Sequence, residues 1–188
     1  MELIKNKSLP QLLKLFFLAI LGSVLLAISS KFKIPFYPVP MTMQTFVVVL
    51  IGMLYGWKLG LFTISLYLFE GTIGLPVFAG TPEKGVGLIY FIGPTMGYLL
   101  GFLPAVLISG YYFSVFKKQN KNFQFIKFFL LFSLSMSSIY ILGILWLSKF
   151  VGWDKVFLLG VQPFLLAEIF KITILSILAK FIKVKITT

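Results

Sequence analysis

The sequence of 188 residues contains no cysteine and no histidine. Thiolate nucleophiles, disulfide bonds, imidazole bases and nearly all soft metal sites depend on those two side chains, so these chemistries are excluded. Charge is also scarce, because 12% of the residues are charged and 59% are apolar, whereas a soluble domain is about one quarter charged. Together with a mean hydropathy of +1.02, this composition indicates a membrane protein with no room for a separate soluble domain.

All 17 basic residues are lysines, and with five acids they give a net charge of +12. A nucleic-acid-binding protein groups its basic residues on a solvated face. Here the lysines instead separate long apolar runs. We therefore expect a lipid bilayer around the chain and no nucleic acid partner.

Six uncharged or nearly uncharged runs are expected to cross the bilayer, because a charge at its centre costs on the order of 3 kcal/mol. They are residues 15–30, 42–57, 59–69, 86–116, 128–148 and 156–179. A spanning helix needs roughly 20 residues, so the short third run must extend into the glycine-containing stretch after it or stop part-way. In the fourth run, the helix is expected to begin near Ile92. A cleavable signal peptide would also resemble the first run, but the membrane-like character of the remaining chain disfavours it.

The distribution of lysines predicts the orientation of these spans. With six spans, 11 lysines share the side of the two termini and five lie on the opposite side. The opposite side holds Lys31, Lys33, Lys84, Lys149 and Lys155. We therefore predict a single all-α transmembrane domain over residues 1–188, with six transmembrane helices, ordered outer loops and both termini in the cytoplasm.

The first outward segment, residues 32–46, contains three prolines, and all three lie within six residues. Proline fixes φ and removes a backbone donor, which favours a stiff, extended chain. Such a segment serves either as a pocket wall or as a rigid connector. Gln44 at its end needs polar partners, either in a pocket or as a cap of the second helix.

The second outward segment, residues 70–87, is rich in glycine and yet apolar. A merely solvated loop would be polar, so this one is expected to pack into a cavity. There the backbone amides of Gly71, Gly74 and Gly80 are candidate donors to a ligand, since glycine permits close approach. Burial against the protein's own helices is the alternative.

Glu168 and Lys171 are two ionisable residues inside the sixth run. Their i, i+3 spacing places them on one helix face, and such residues usually face the bundle interior or a water-filled cavity. Two interpretations remain open: a structural ion pair, or a site for a ligand that offers both donors and acceptors, such as a cyclic urea or amide.

Small residues recur every four positions in the first run, at Ala19, Ser23 and Ala27. Such a stripe lets another helix pack closely. The partner is either a helix of the same chain or a second membrane protein, and the residues alone do not decide.

Four motifs of this chain resemble the BioY family, the biotin-specific S-components of energy-coupling factor (ECF) transporters. They are Ile-Pro-Phe-Tyr-Pro-Val-Pro-Met-Thr-Met-Gln-Thr-Phe at 34–46, Gly-Leu-Pro-Val-Phe-Ala-Gly at 74–80, Gly-Pro-Thr-Met-Gly-Tyr-Leu-Leu-Gly-Phe at 93–102, and Gly-Val-Gln-Pro-Phe at 160–164 followed by Lys171. The motifs occur in the family's order and extend over nearly the whole chain.

The resemblance implies a six-helix protein of the bacterial plasma membrane that captures biotin from outside. Its partners would be a transmembrane coupling protein, contacted through the stripe of Ala19, Ser23 and Ala27, and two cytosolic ATPases. The S-component itself would hydrolyse nothing and need no cofactor, in agreement with the absence of a P-loop GxxxxGK[ST] from this sequence.

The resemblance also implies a biotin site. Glu168 would accept from a ureido N–H, while Lys171 would donate to the ureido oxygen or lie near the carboxylate. The other expected contacts are polar ones from Gln44, Tyr98 and the Gly80 amide, and ring contacts from Phe36, Phe78 and Phe164.

This chain departs from the family's usual pattern at two positions, with Glu168 in place of Asp and Met96 in place of Gly, and it has no arginine for the ligand carboxylate. Two other interpretations therefore stand beside biotin uptake. One is an S-component-like carrier for a different vitamin, and the other is a structural helical partner that binds no ligand.

Overall fold

The computed structural model describes residues 9–83, 85–118 and 123–182, and this part of the chain is nearly all helical, as predicted. The helices are α1 (Leu9–Lys31), α2 (Gln44–Thr72), α3 (Leu88–Ile92), α4 (Met96–Lys118), α5 (Gln124–Val151), α6 (Trp153–Gly160) and α7 (Leu165–Phe181). Two short strands, β1 (Lys33–Ile34) and β2 (Met41–Thr42), pair antiparallel in the first outward segment. Of the lysines used to predict orientation, six lie outside the described residues: Lys5, Lys7, Lys84, Lys121, Lys183 and Lys185.

Helix α2 reverses direction at Gly56, whose φ of 71° and ψ of 175° are not helical. At 1.5 Å per residue, Gln44 and Tyr67 would be roughly 35 Å apart along a straight helix. Instead, the Gln44 amide nitrogen lies 2.7 Å from the Tyr67 hydroxyl. Residues 44–55 and 57–72 therefore form an antiparallel helical hairpin that corresponds to the second and third predicted runs. The third run extends through Glu70 to Thr72, and the turn lies two residues before the predicted position at Lys58.

Within residues 9–83, 85–118 and 123–182, four helices are long and apolar enough to cross a membrane by length and composition, and α7, with 17 residues, is shorter. They are Leu9–Lys31, Gln44–Thr72, Met96–Lys117 and Gln124–Val151. The fourth predicted helix begins at Met96 and not near Ile92, because α3 precedes it as a separate turn of helix. The sixth run is not one continuous helix either. It divides into α6, a 3-10 turn at Gln162–Phe164 and α7, since Pro163 lacks the N–H that a continuous helix needs.

Helix α4 lies between α2 and α5, α1 packs on α2, and α7 packs on α5 and α2. Glycines allow the close approaches within this bundle. A Cβ at Gly101 would lie 2.5 Å from the Cα of Ile139, and one at Gly110 would lie 2.5 Å from the backbone nitrogen of Trp57. This packing brings the start of α2, the start of α7 and the middle of α5 together at one end of the bundle, under the outward segments.

Candidate binding site

Glu168 and Lys171 form an ion pair on the buried face of α7, with 2.8 Å between Glu168 Oε1 and Lys171 Nζ. Their side chains are 8% and 5% exposed. Burial of two charges is costly unless further hydrogen bonds satisfy both groups. The neighbouring polar atoms therefore decide what the pair can do.

The start of α2 supplies those hydrogen bonds. The Thr45 hydroxyl lies 3.0 Å from each carboxylate oxygen of Glu168 and 3.0 Å from Lys171 Nζ. Lys171 also donates to the Thr42 carbonyl at 2.7 Å. An ammonium has three N–H donors, and Glu168, Thr45 and Thr42 account for all three. Lys171 thus ties α7 to the start of α2 and holds Glu168 in place.

Next to this pair lies a cavity that Glu168 reaches and whose lining does not include Lys171. Its polar lining consists of Thr42, Gln44, Thr45, Tyr90, Thr95, Tyr98, Tyr140 and Glu168, and its apolar lining includes Val39, Leu99, Phe102, Ile139 and Phe164. The cavity volume is about 50 Å³, which holds a few water molecules. The cavity has the composition of a small-molecule site, which combines apolar walls with a few converging polar groups.

Four of the predicted site residues line this cavity: Gln44, Tyr98, Phe164 and Glu168. The Gln44 side chain donates to Tyr67 and makes no capping hydrogen bond, since Met43 is the residue at the helix cap. The Tyr98 hydroxyl donates to the Gly160 carbonyl at 2.8 Å. Gln44 is therefore a residue of the cavity wall, in agreement with the pocket interpretation of the first outward segment.

The other four predicted residues lie outside the cavity lining. Lys171 lies behind Glu168, and Gly80, with a φ of 84°, follows the lining residue Ala79. Phe36 packs edge-to-face on Phe164, with 5.8 Å between ring centroids. Phe78 is 1% exposed and stacks on Tyr90 at 4.9 Å. In this structure, these residues support the cavity wall from behind.

Sequence reasoning missed five polar residues of the lining: Thr42, Thr45, Tyr90, Thr95 and Tyr140. Tyr140 lies close enough to Glu168 for an electrostatic interaction. A phenol within an apolar run signals a need for a polar partner, and this signal was available in the fifth run. Thr45 directly follows Gln44 in the first motif, but a lone threonine near a helix start is common and carries little information.

The second outward segment is fastened to the end of α1. Lys31 Nζ donates to the carbonyls of Pro76 and Phe78 at 2.8 and 3.1 Å, and the Ser30 hydroxyl donates to the Val77 carbonyl at 2.8 Å. The Tyr90 hydroxyl donates to the Ala79 carbonyl at 2.6 Å. Burial raises the pKa of Tyr90, so it remains a neutral donor. These bonds hold the segment against α1 and α3, with Ala79 in the cavity lining. Gly71, Gly74 and Gly80, the candidate donors, are not among the lining residues, so the segment is buried largely against the protein's own helices.

The structure does not present the small-residue stripe of α1 as a docking surface. Ala19 and Ser23 are each 0% exposed, and Ala27 packs partly buried against the core. The Ser23 hydroxyl donates to Glu70 of α2. Because these side chains contact the same chain, the prediction of partner docking is replaced by internal packing in this structure.

Comparison with known proteins assigns the family. The model of the BioY family matches residues 5–187. A "Probable biotin transporter BioY" of Pyrococcus horikoshii is 34% identical over 83% of this chain and 88% of its own length. A "Biotin transporter BioY2" of Lactococcus lactis subsp. cremoris is 35% identical over 84% of this chain and 83% of its own length. The fold is shared with the crystal structure of "the S-component for biotin from an ECF-type ABC transporter", at a TM-score of 0.78 and 21% identity over 94% of both chains. The chain belongs to the BioY family.

Proposed function

We propose that this membrane protein captures biotin from outside and passes it into the cell as the substrate-specific component of an ECF-type ABC transporter. The observation that carries the proposal is the cavity with a buried carboxylate acceptor, Glu168, in a chain whose relatives are named biotin transporters. The chain is a transport protein and not an enzyme.

The groups of biotin match the groups of the cavity. The ureido ring offers two N–H donors and one carbonyl acceptor, and the Glu168 carboxylate is a charged acceptor for the N–H donors. Thr45 holds both carboxylate oxygens in place, Tyr140 interacts with the same carboxylate, and Gln44 is a donor for the ureido oxygen. Lys171 balances the buried negative charge and acts as a positioning residue, because its three N–H groups already have acceptors.

The second outward segment is the part of the cavity wall that can open to admit the ligand and then close over it, since it contributes Ala79 to the lining. Gly80 and Phe78 lie in this segment, and Phe36 packs on Phe164 of the cavity lining. When the segment closes, these aromatic side chains enclose the apolar thioether ring of the ligand.

The Lys31→Met variant tests this closure. It removes the hydrogen bonds from Lys31 to the Pro76 and Phe78 carbonyls, and a net loss of about 1 kcal/mol or more predicts biotin dissociation at least about fivefold faster. Stopped-flow displacement of labelled biotin measures this rate. Lys33→Met is the matched control, since within the described part of the chain the Lys33 ammonium makes an exposed ion pair with Glu83 at 4.0 Å and no bond to the second outward segment's carbonyls. Equal dissociation rates in wild type and Lys31→Met would contradict the proposed role of Lys31 in holding the second outward segment closed.

The Thr45→Val variant tests how Glu168 is held. Valine keeps the shape of threonine and removes the hydroxyl that contacts both Glu168 and Lys171, so biotin affinity should fall about tenfold to a hundredfold. Thr45→Ser keeps the hydroxyl and should bind within a few-fold of wild type. Titration calorimetry compares the three proteins, and a Thr45→Val affinity equal to that of wild type would remove Thr45 from this role.

We further propose six membrane crossings with both termini in the cytoplasm. The hairpin in α2 supports this arrangement, because it turns one long helix into two antiparallel halves. The chain has no cysteine, so single-cysteine variants report sidedness cleanly. An impermeant maleimide should label Asp154→Cys in intact cells, and it should label Phe123→Cys only after permeabilisation. Labelling of both from outside would contradict the arrangement.

ATP hydrolysis is assigned to partners, a transmembrane coupling protein and two cytosolic ATPases. No P-loop motif occurs in this sequence, so the chain itself cannot supply the energy for uptake. Co-expression with such a module should increase biotin accumulation in cells that otherwise take up little. Equal accumulation with an ATPase-inactive module would contradict this assignment.

Competition for labelled biotin on detergent-purified protein tests the choice of substrate. Biotin and desthiobiotin both carry the ureido group and should compete, whereas thiamine and riboflavin should not. The alternative is a carrier for a different vitamin. It is suggested by Glu168, whose side chain in the cavity is longer than that of the Asp usual at this position in the family. Competition by thiamine or riboflavin with no response to biotin would establish that alternative.

A further inference from the structure

A second groove lies beside the cavity, between the β1–β2 pair and α7. Lys31 and Lys33 lie at one end, and Phe46, Phe170 and Ile174 form its apolar floor. We call it the lateral groove. Among the described residues that line it, none is acidic.

The lateral groove is separate from the cavity. Met41 and Thr42 line both spaces and form the wall between them. Lys171 closes this wall through its 2.7 Å hydrogen bond to the Thr42 carbonyl. A ligand in the cavity would have to break that bond to enter the groove, so the groove does not belong to the proposed biotin site.

The mouth of the groove keeps a positive charge. The acceptors of Lys31 are the neutral oxygens of Pro76, Phe78 and Thr81, and its charge also interacts with those of Lys33 and Glu83. Lys33 has one carboxylate at 4.0 Å, and that Glu83 side chain is 81% exposed, so the pair is weak and screened. Two lysines therefore face the groove with little opposing charge.

The apolar floor runs away from these lysines and into the membrane. Lys31 ends α1, the level at which the chain leaves the bilayer. From Ala167 to Ile174, α7 extends the groove wall by roughly 10 Å at 1.5 Å per residue. Phe170 is 66% exposed and Phe32 is 67% exposed, so the groove opens sideways toward lipid. An apolar channel with cations at its headgroup end is complementary to an anionic amphiphile.

We propose that the lateral groove binds one anionic phospholipid, with its phosphate at Lys33 and within reach of the charge of Lys31, and with an acyl chain along Phe46, Phe170 and Ile174. A zwitterionic lipid has the same chain but a neutral headgroup, so charge provides the selectivity. Each lysine near an anionic headgroup contributes about a fivefold increase in affinity.

Native mass spectrometry of the delipidated, detergent-purified protein tests the proposal. The protein is titrated with dioleoyl-phosphatidylglycerol or dioleoyl-phosphatidylcholine, and we expect a one-to-one complex with a preference of about fivefold or more for phosphatidylglycerol. Lys33→Gln should reduce this preference about fivefold. Lys155→Gln removes one charge from an exposed position away from the groove and should keep it. An unchanged thermal unfolding midpoint verifies the fold of each variant.

Equal retention of the two lipids by the wild type would overturn the proposal, and so would an unchanged preference in Lys33→Gln. Equal losses in Lys33→Gln and Lys155→Gln would show general charge attraction and no site. Displacement of the lipid by biotin would also contradict it, because the groove would then belong to the substrate path. A failure of biotin binding in the wild type would leave the lipid result interpretable, since the two sites do not share the groove.

Discussion

Replacing Glu168 with glutamine should weaken biotin binding by about a hundredfold or more. Glutamine keeps the size of the side chain but loses the charge, so the ureido N–H groups lose a charged acceptor. Loss of one partner of a buried, hydrogen-bonded charge pair typically costs 2–5 kcal/mol or more. Titration calorimetry on detergent-purified protein measures the change directly.

Glu168→Asp is the matched control for that experiment. Aspartate keeps the negative charge and shortens the side chain by one methylene, so it should retain measurable affinity. A Glu168→Gln protein that binds biotin as tightly as wild type would remove the carboxylate from the site. Equal losses of affinity in both variants would show that the site requires the charge of Glu168 and the length of its side chain together.

Replacing Lys171 with methionine should lower stability as well as binding. The variant leaves a buried carboxylate without its countercharge, although Thr45 and Tyr140 still interact with it, and breaking a buried pair from one side costs about 3–5 kcal/mol. It also removes the bond from α7 to the Thr42 carbonyl. We expect a clear fall in the thermal unfolding midpoint, measured by differential scanning fluorimetry without biotin.

The double variant Glu168→Gln/Lys171→Met separates structure from function. Removal of both charges leaves no unpaired buried ion, so stability should recover toward that of wild type. Biotin binding should not recover, because the acceptor is still missing. A double variant that recovers both properties would show that the pair is purely structural, which is the second interpretation of its spacing.

Much of the helical arrangement could be predicted from the sequence, because charges are so costly in lipid that they mark the ends of apolar runs. The predicted turn at Lys58 differs from the break at Gly56 by two residues, since a charge marks the membrane edge and a glycine with positive φ makes the reversal. The division of the sixth run was missed because that run was defined by its charges, although Pro163 signalled an interruption.

Site residues could be predicted where the sequence places a side chain that is energetically costly inside the membrane. Glu168 and Lys171 were found because ionisable residues within a span need a reason. The position of Lys171 outside the cavity could not be predicted, because it depends on two acceptors, Thr42 and Thr45, that are about 130 residues away in the chain. Tyr140 was missed for a similar reason, since only tertiary packing brings its ring beside Glu168.

Equilibrium titration of biotin into the purified wild-type protein is the most direct test of the whole account. If the Glu168 carboxylate, held by Thr45 and Lys171, accepts hydrogen bonds from the ureido group, the titration should saturate at one biotin per chain with high affinity. A titration with no heat and no thermal stabilisation at saturating biotin would leave the Glu168 and Lys171 pair as a structural clasp and would contradict the proposed transport of biotin.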